Sequence, residues 1–252
     1  MIILKSKAEI EAMKKPNAIV AKVLDEMHDF IKPGLSTLEI DLKAREIIKG
    51  CGAEPGFLGY GDPPFPGAVC VSVNEEVVHG IPSADKILQE GDIVSVDCGA
   101  VVDGWNGDGA RTYPVGEISA EAARLIQVTE ASFWAGLEQA HPGNRLGDIS
   151  AAVQQVAEAA GYGVIRELTG HGVGRDLHEE PNLPNYGRAG RGIRLEEGMV
   201  LALEPMIALG SYRIRLLDDE WTIVTADGRY ASHYEHTFAI LADGPLILTK
   251  QA

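Results

Sequence analysis

Between residues 17 and 31, Val20, Val23, Leu24, Met27 and Ile31 fall at helical spacing, and Pro33-Gly34 follows as a stop. Ser36 with Glu39 three residues on reads as a capping box. It opens a second helix through Ile40, Ala44, Ile47 and Ile48, closed by Gly50 or Gly52. The pattern then returns with a fixed shift. Pro142-Gly143, Asp148, Ile149, Val153, Val156 and Gly161 repeat Pro33-Gly34, Glu39, Ile40, Ala44, Ile47 and Gly52 at an offset of 142 − 33 = 161 − 52 = 109 residues. Two apolar runs repeat as well: EGDIVSVD ends at Asp97 and EGMVLALE at Glu204, an offset of 204 − 97 = 107. Both read as buried strands that end in a carboxylate. The chain is therefore expected to be two related halves, about 1–118 and 119–252, each running helix, helix, strands. Two copies exclude a solenoid. No Pro-, Ser- or Gly-rich linker parts the halves, so they are expected to share one core in a single α+β domain, residues 1–252.

Composition narrows the partners. Apolar residues at 45% and charged residues at 23% are ordinary for a folded globular chain. The balance of 22 Lys and Arg against 37 Asp and Glu gives a formal charge of 22 − 37 = −15. That charge argues against DNA and anionic membranes as partners and points to small molecules or peptides. The N-terminal apolar run breaks after four residues, which is too short for a signal peptide, and no run approaches the roughly 20 residues of a membrane span. Cys51, Cys70 and Cys98 are odd in number and widely spaced, forming neither a disulfide framework nor a thiolate zinc site. A reducing cytoplasm is the expected location.

The carboxylates bring in chemistry. Asp97 and Asp108 lie on either side of Asp103-Gly104, the favoured central pair of a type I′ hairpin turn. With that turn, residue i faces residue 207 − i, so Asp108 stands opposite Gly99, two residues from Asp97 and on the same face. Diagonal neighbours of this kind lie about 7–8 Å apart, within reach of a shared ion, and Gly99 leaves room for one. Two anions on an apolar strand are costly unless a cation neutralises them. In the second half, His171 and His178 stand in GHGVGRDLHEEP, Glu204 ends LALE, and Glu235 enters a strand in ASHYEHTFAIL. Four carboxylates at apolar strand positions with few histidines form an oxygen-rich ligand set, suited to paired divalent ions such as manganese, iron, cobalt or zinc.

The segments SVNEEVVHGIP, VDCGAVVDGWNGDGART, GHGVGRDLHEEPNLPNYG, LEEGMVLALEPM and ASHYEHT, in this order, resemble the signatures of the type I methionine aminopeptidases. The resemblance implies a pita-bread fold, in which pseudo-two-fold helices surround a curved antiparallel sheet. It implies that Asp97, Asp108, His171, Glu204 and Glu235 are ligands to two divalent ions (cobalt, manganese, iron, zinc or nickel), with Asp108 and Glu235 bridging. It makes His79, His178 and Glu204 the catalytic residues: Glu204 a proton shuttle, His178 a donor to the carbonyl oxygen, His79 a contact to the scissile amide. Phe65, Cys70 and Trp221, together with the two histidines, are the implied substrate contacts. The expected activity is hydrolytic removal of the initiator methionine before a small second residue. Methionyl peptides and nascent chains are the expected partners, with transient ribosome contact and a monomeric state.

The chain departs from the family pattern at Gly59 and Asp62, where larger or aromatic residues are common, and at Leu177, where Phe or Met is usual. The 235 − 204 = 31 residues between the two second-half glutamates exclude the large insert of type II enzymes. A prolidase or proline-specific aminopeptidase shares the fold and ligands but usually carries a further N-terminal domain. A non-catalytic pita-bread binding protein is expected to have lost ligands and gained basic patches, whereas this chain keeps all five and is acidic.

Overall fold

The structure, a computed structural model, describes residues 1–250. Its first half runs α1 (Lys7–Phe30), α2 (Thr37–Gly50), β1 (Glu54–Pro55), β2 (Val69–Val73), β3 (Glu76–Val78), β4 (Ile93–Val102) and β5 (Trp105–Pro114). The second half continues with α3 (Ala120–Leu137), α4 (Leu146–Ala159), β6 (Gly163–Val164), β7 (Thr169–Gly172), β8 (Glu179–Pro184), β9 (Val200–Leu203) and β10 (Met206–Ala208). It ends with β11 (Ile214–Leu216), β12 (Ile223–Thr225), β13 (Ala231–His233), β14 (Glu235–Leu241) and β15 (Gly244–Ile247).

The duplication holds at the level of element limits. The helices α2 and α4 begin and end 146 − 37 = 159 − 50 = 109 residues apart. Each opens on a carboxylate that accepts a backbone N–H from three residues earlier: Ser36 donates to Glu39 and Arg145 to Asp148. Gly34 and Gly143, which precede them, share a left-handed φ of 91° and 92°.

The main sheet runs β1-β4-β5-β14-β9-β7-β8, with β2 also on β4 and β15 also on β14. Its centre is the β5–β14 pairing, where Ala110 faces Glu235, so the two halves meet in one ladder. Each half then steps outward in the same way, β5-β4-β2 on one side and β14-β9-β7 on the other. One face packs against helices: Val20, Leu24 and Met27 of α1 and Ile40 and Ile48 of α2 lie on Val94 and Val96. Phe133 of α3 and Ile149 and Val153 of α4 lie on Leu201, Leu203 and Phe238. Because strand side chains alternate, the other face receives Asp97, Asp108 and Glu235. Among the described residues, no helix is long and apolar enough to cross a membrane.

The hairpin register is the one expected from the turn. Asp103 and Gly104 have φ of 52° and 72°, as a type I′ turn requires, and Gly99 pairs with Asp108. Two expectations are corrected. The first helix starts at Lys7, ten residues before the periodic stretch, on a capping box formed by Ser6 and Glu9. Pro16 lies inside it and is buried. Its missing N–H removes one helical bond, yet Ile10 and Met13 extend the buried stripe, and the Asn17 side-chain amide donates to the Met13 carbonyl at 2.8 Å. The second correction concerns Gly99: the space of its absent side chain is taken by the Phe57 ring, which a Cβ would approach to 2.6 Å, and so is not room for an ion.

Candidate metal centre and substrate recess

Five consecutive strands of the sheet deliver the five candidate ligands. Asp97 comes from β4, Asp108 from β5, Glu235 from β14, Glu204 from the residue after β9, and His171 from β7. Asp97 and Glu235 both pair with Ala110, one on each side, which puts them in one row across β5. Asp108 stands two residues along the same face of β5. The side-chain hydroxyl of Thr237 donates to the Asp108 carbonyl at 2.8 Å, fixing β5 against β14 beside the cluster. Asp108, His171 and Glu235 each offer a ligand atom within 4.8 Å of the others. The His171 Nε2 is 3.6 Å from Asp108 and 3.5 Å from Glu204. Its Nδ1 is 2.9 Å from the Gly172 carbonyl, so that nitrogen carries the proton and Nε2 presents a lone pair to the carboxylates.

The electrostatics of this cluster fit a cation. Asp108 is 3% exposed and Glu235 2%. Burial raises the Asp97 carboxyl to about 7. Burial, and then the neighbouring carboxylates, push Asp108, Glu204 and Glu235 well above the usual range. Asp97 Oδ1, Asp108 Oδ1 and Glu235 Oε1 are buried with no hydrogen-bond partner among the described residues. Orphaned anionic oxygens of this kind are rare in folded proteins unless an ion satisfies them. Four crowded carboxylates and a correctly tautomeric imidazole are the donor set of a hard or borderline divalent ion.

Beside the cluster lies a recess of about 130 Å³, and all ten residues singled out in the sequence line it. Phe57, Phe65, Cys70 and Leu177 form its apolar wall, with Ile81 and Trp221 packed against them. Trp221 meets Phe65 edge-on at 5.2 Å and His79 at 5.9 Å, and its indole N–H donates to the Pro63 carbonyl. His79 has a left-handed φ of 59°, a strained conformation for a non-glycine residue and one typical of functional positions. Burial lowers its pKa to about 4, so its ring is neutral. His178 stacks near His171 with ring centroids 4.2 Å apart, and its Nδ1 is 2.6 Å from the Tyr60 hydroxyl.

Sequence reading missed Tyr60, Phe57 and His233. Tyr60 sits between Gly59 and Gly61, both at φ near 80°, in the stretch that departs from the family pattern. There the chain doubles back, and Tyr60 and Phe57 supply the aromatic surface that the positions of Gly59 and Asp62 lack. His233 was visible in ASHYEHT but carried no signal of its own.

A buried carboxylate cluster that fits divalent cations, set in a duplicated antiparallel sheet beside a recess with an apolar wall, defines a metal-dependent hydrolase. The profile of metallopeptidase family M24 matches residues 11–242, and the chain belongs to that family. It is 52% identical to a methionine aminopeptidase of Clostridium acetobutylicum over 99% of both chains. A solved methionine aminopeptidase from Thermotoga maritima superposes with a TM-score of 0.97 at 46% identity, covering 100% of both chains. A prolidase from Pyrococcus furiosus also superposes, with a TM-score of 0.80 at 26% identity, but the match covers 99% of this chain and only 66% of the prolidase. The fold is the pita-bread fold that these enzymes share.

Proposed function

We propose that the protein removes the initiator methionine from new polypeptides, by hydrolysis at a centre of two divalent ions and with preference for a small second residue. The observation that carries this reading is the union of the buried carboxylate cluster with an apolar-walled recess beside it. The methionine aminopeptidases matched over the full chain support it. In this reading Asp97, Asp108, His171, Glu204 and Glu235 would hold the ions, and the whole chain works as one catalytic domain because both halves supply candidate ligands. Bound divalent ions supply Lewis acidity that lowers the pKa of water toward about 7.

The side chains do the remaining work. Glu204, whose carboxyl burial raises, accepts the proton of the attacking water and passes it to the departing amine. His178 donates a hydrogen bond from its Nε2–H to the substrate carbonyl oxygen as charge builds there. That role requires the Tyr60 hydroxyl, 2.6 Å from Nδ1, to be the donor of their hydrogen bond, which leaves the ring proton on Nε2. His79, neutral and held by Trp221, contacts the scissile amide. Phe65, Cys70 and Trp221, with Phe57 and Leu177, enclose the methionine side chain in apolar and polarizable surface that suits a thioether. The free α-amine lies on the Asp97 side of the centre, a requirement that internal peptide bonds cannot meet.

The test is release of methionine from Met-Ala-Ser, compared with cleavage of Xaa-Pro peptides, by metal-stripped protein restored with each of manganese, iron, cobalt, zinc and nickel. Metal-dependent methionine release is expected, falling as the second residue grows. Preferential cleavage of Xaa-Pro peptides would assign the prolidase activity instead.

A further inference from the structure

His233 is a buried polar group with no role in the account above. It ends β13, is 1% exposed, and neither ring nitrogen has a hydrogen-bond partner among the described residues. Its backbone is pinned on both sides, since its N–H donates to the Thr112 hydroxyl at 3.0 Å and its carbonyl accepts from that hydroxyl at 2.8 Å. Its Nε2 stands 3.8 Å from Glu235 Oε2 and 3.9 Å from Glu204 Oε2. Those distances are too long for hydrogen bonds. They are the separations of donor atoms that share an ion, because ligand atoms lie about 2.0–2.2 Å from a zinc-like ion and so stand roughly 3–4 Å from one another. His171 shows the same signature, at 3.6 and 3.5 Å from two carboxylates. The two imidazoles divide Glu204 between them, His171 facing Oε1 and His233 facing Oε2.

We propose that His233 is a sixth ligand of the centre, giving an imidazole nitrogen to the ion held by Glu204 and Glu235. The proposal rests on the metal-centre reading above. A second nitrogen donor changes what the site prefers: imidazole suits zinc, cobalt, iron and nickel better than manganese, which favours oxygen. The site is therefore biased toward the first group.

Calorimetric titration of Co²⁺, Zn²⁺ and Mn²⁺ into metal-stripped wild type and His233→Gln tests this, with the visible absorption of the cobalt forms recorded alongside. The variant is expected to lose about 10- to 100-fold in Co²⁺ and Zn²⁺ affinity, to lose far less for Mn²⁺, and to show shifted cobalt bands. Unchanged affinities and bands, or an equal loss for all three ions, overturn it. Should the variant unfold, cobalt-loaded wild type gives an independent reading. Its paramagnetic proton spectrum should contain two exchangeable, strongly shifted imidazole N–H resonances, and a single one overturns the assignment. Asp108→Asn separates the two levels of the argument. Metal lost there but fully retained in His233→Gln sinks only the sixth ligand, whereas metal retained in Asp108→Asn sinks the centre itself.

Discussion

Asp108 is held at the centre of the cluster by its strand and by Thr237, with one oxygen orphaned and the other 3.6 Å from His171. Replacing it with asparagine removes one anion from a crowded buried set while nearly preserving its volume. Two effects of opposite sign follow: the metal-free protein gains stability because repulsion falls, and the metal site is lost. Asp108→Asn is expected to cut turnover more than about 100-fold together with metal content, and near-normal activity in a metal-controlled assay would remove Asp108 from the ligand set. His178 presents the contrasting case. His178→Ala should lower kcat by about 10²–10³, the cost of one oxyanion donor, and leave metal content unchanged; loss of metal would make His178 a ligand. Tyr60→Phe, which removes only the hydroxyl behind that histidine, should cost about fivefold, the worth of one net hydrogen bond. Candidate residues that stand in motifs, such as Glu204 and His178, were legible in the sequence because their neighbours repeat between the halves or match family signatures, and the structure places both at the recess. Tyr60 was not, because its position depends on a loop whose path is set by positive φ at Gly59 and Gly61 and by the Trp221 bond to Pro63.

At the level of elements, the site depends on how closely α1 lies on β5, the strand that carries Asp108. Gly107 makes that approach possible. A Cβ there would stand 2.6 Å from the Asn17 backbone nitrogen and 2.7 Å from the Pro16 carbonyl carbon, a contact with backbone that no rotamer change relieves. Gly107→Ala is therefore expected to destabilise the protein by about 1–3 kcal/mol, the usual cost of overpacking. Denaturant unfolding of metal-free protein measures it, and an unchanged midpoint would show that α1 can move away freely. The limits of α2 and α4 and the β4–β5 register were readable because each follows from local chemistry: a cap, a helical stripe, a turn pair. The start of α1 was hidden by Pro16, since a proline ordinarily ends a periodic stretch. Only tertiary burial of Ile10 and Met13 against Trp105 and Leu248 carries the helix through it. The filling of Gly99 by Phe57 was equally hidden, because it joins residues 42 positions apart (99 − 57) without any shared pattern.

The whole molecule stores its acidity unevenly, and the cluster gives its stability a pH dependence whose sign can be worked out. Unfolded carboxylates titrate near 4 and unfolded histidines near 6.5. In the folded, metal-free protein, burial raises Asp97 to about 7 and pushes Asp108, Glu204 and Glu235 well above their ordinary range. Burial lowers His79 and His236 to about 4, and His171 and His233 to about 3. Between about pH 4 and 7.5 the two sets oppose each other. The folded carboxylates keep protons that the unfolded chain has released, so stability falls as pH rises; the unfolded histidines bind protons that the folded ones refuse, so stability rises. Unfolded histidines are still half protonated at about pH 6.5, so only above about pH 7.5 are they neutral in both states and the carboxylate effect left to act without them. The melting temperature of metal-free protein should therefore fall from about pH 7.5 to 8.5, more steeply than the drop of the same sign that the buried thiols Cys70 and Cys98 add there. A saturating divalent ion keeps the ligand carboxylates ionised in the folded state, which removes that slope. At about 1,000 times its Kd it also adds roughly 4 kcal/mol of stability, a rise of about 8–16 °C for a chain of this size. A metal-free melting temperature that falls no more steeply from about pH 7.5 to 8.5 than the metal-saturated one would mean that the carboxylates are not protonated in the fold. The cluster would then not be the strained, cation-demanding centre on which the assigned activity depends.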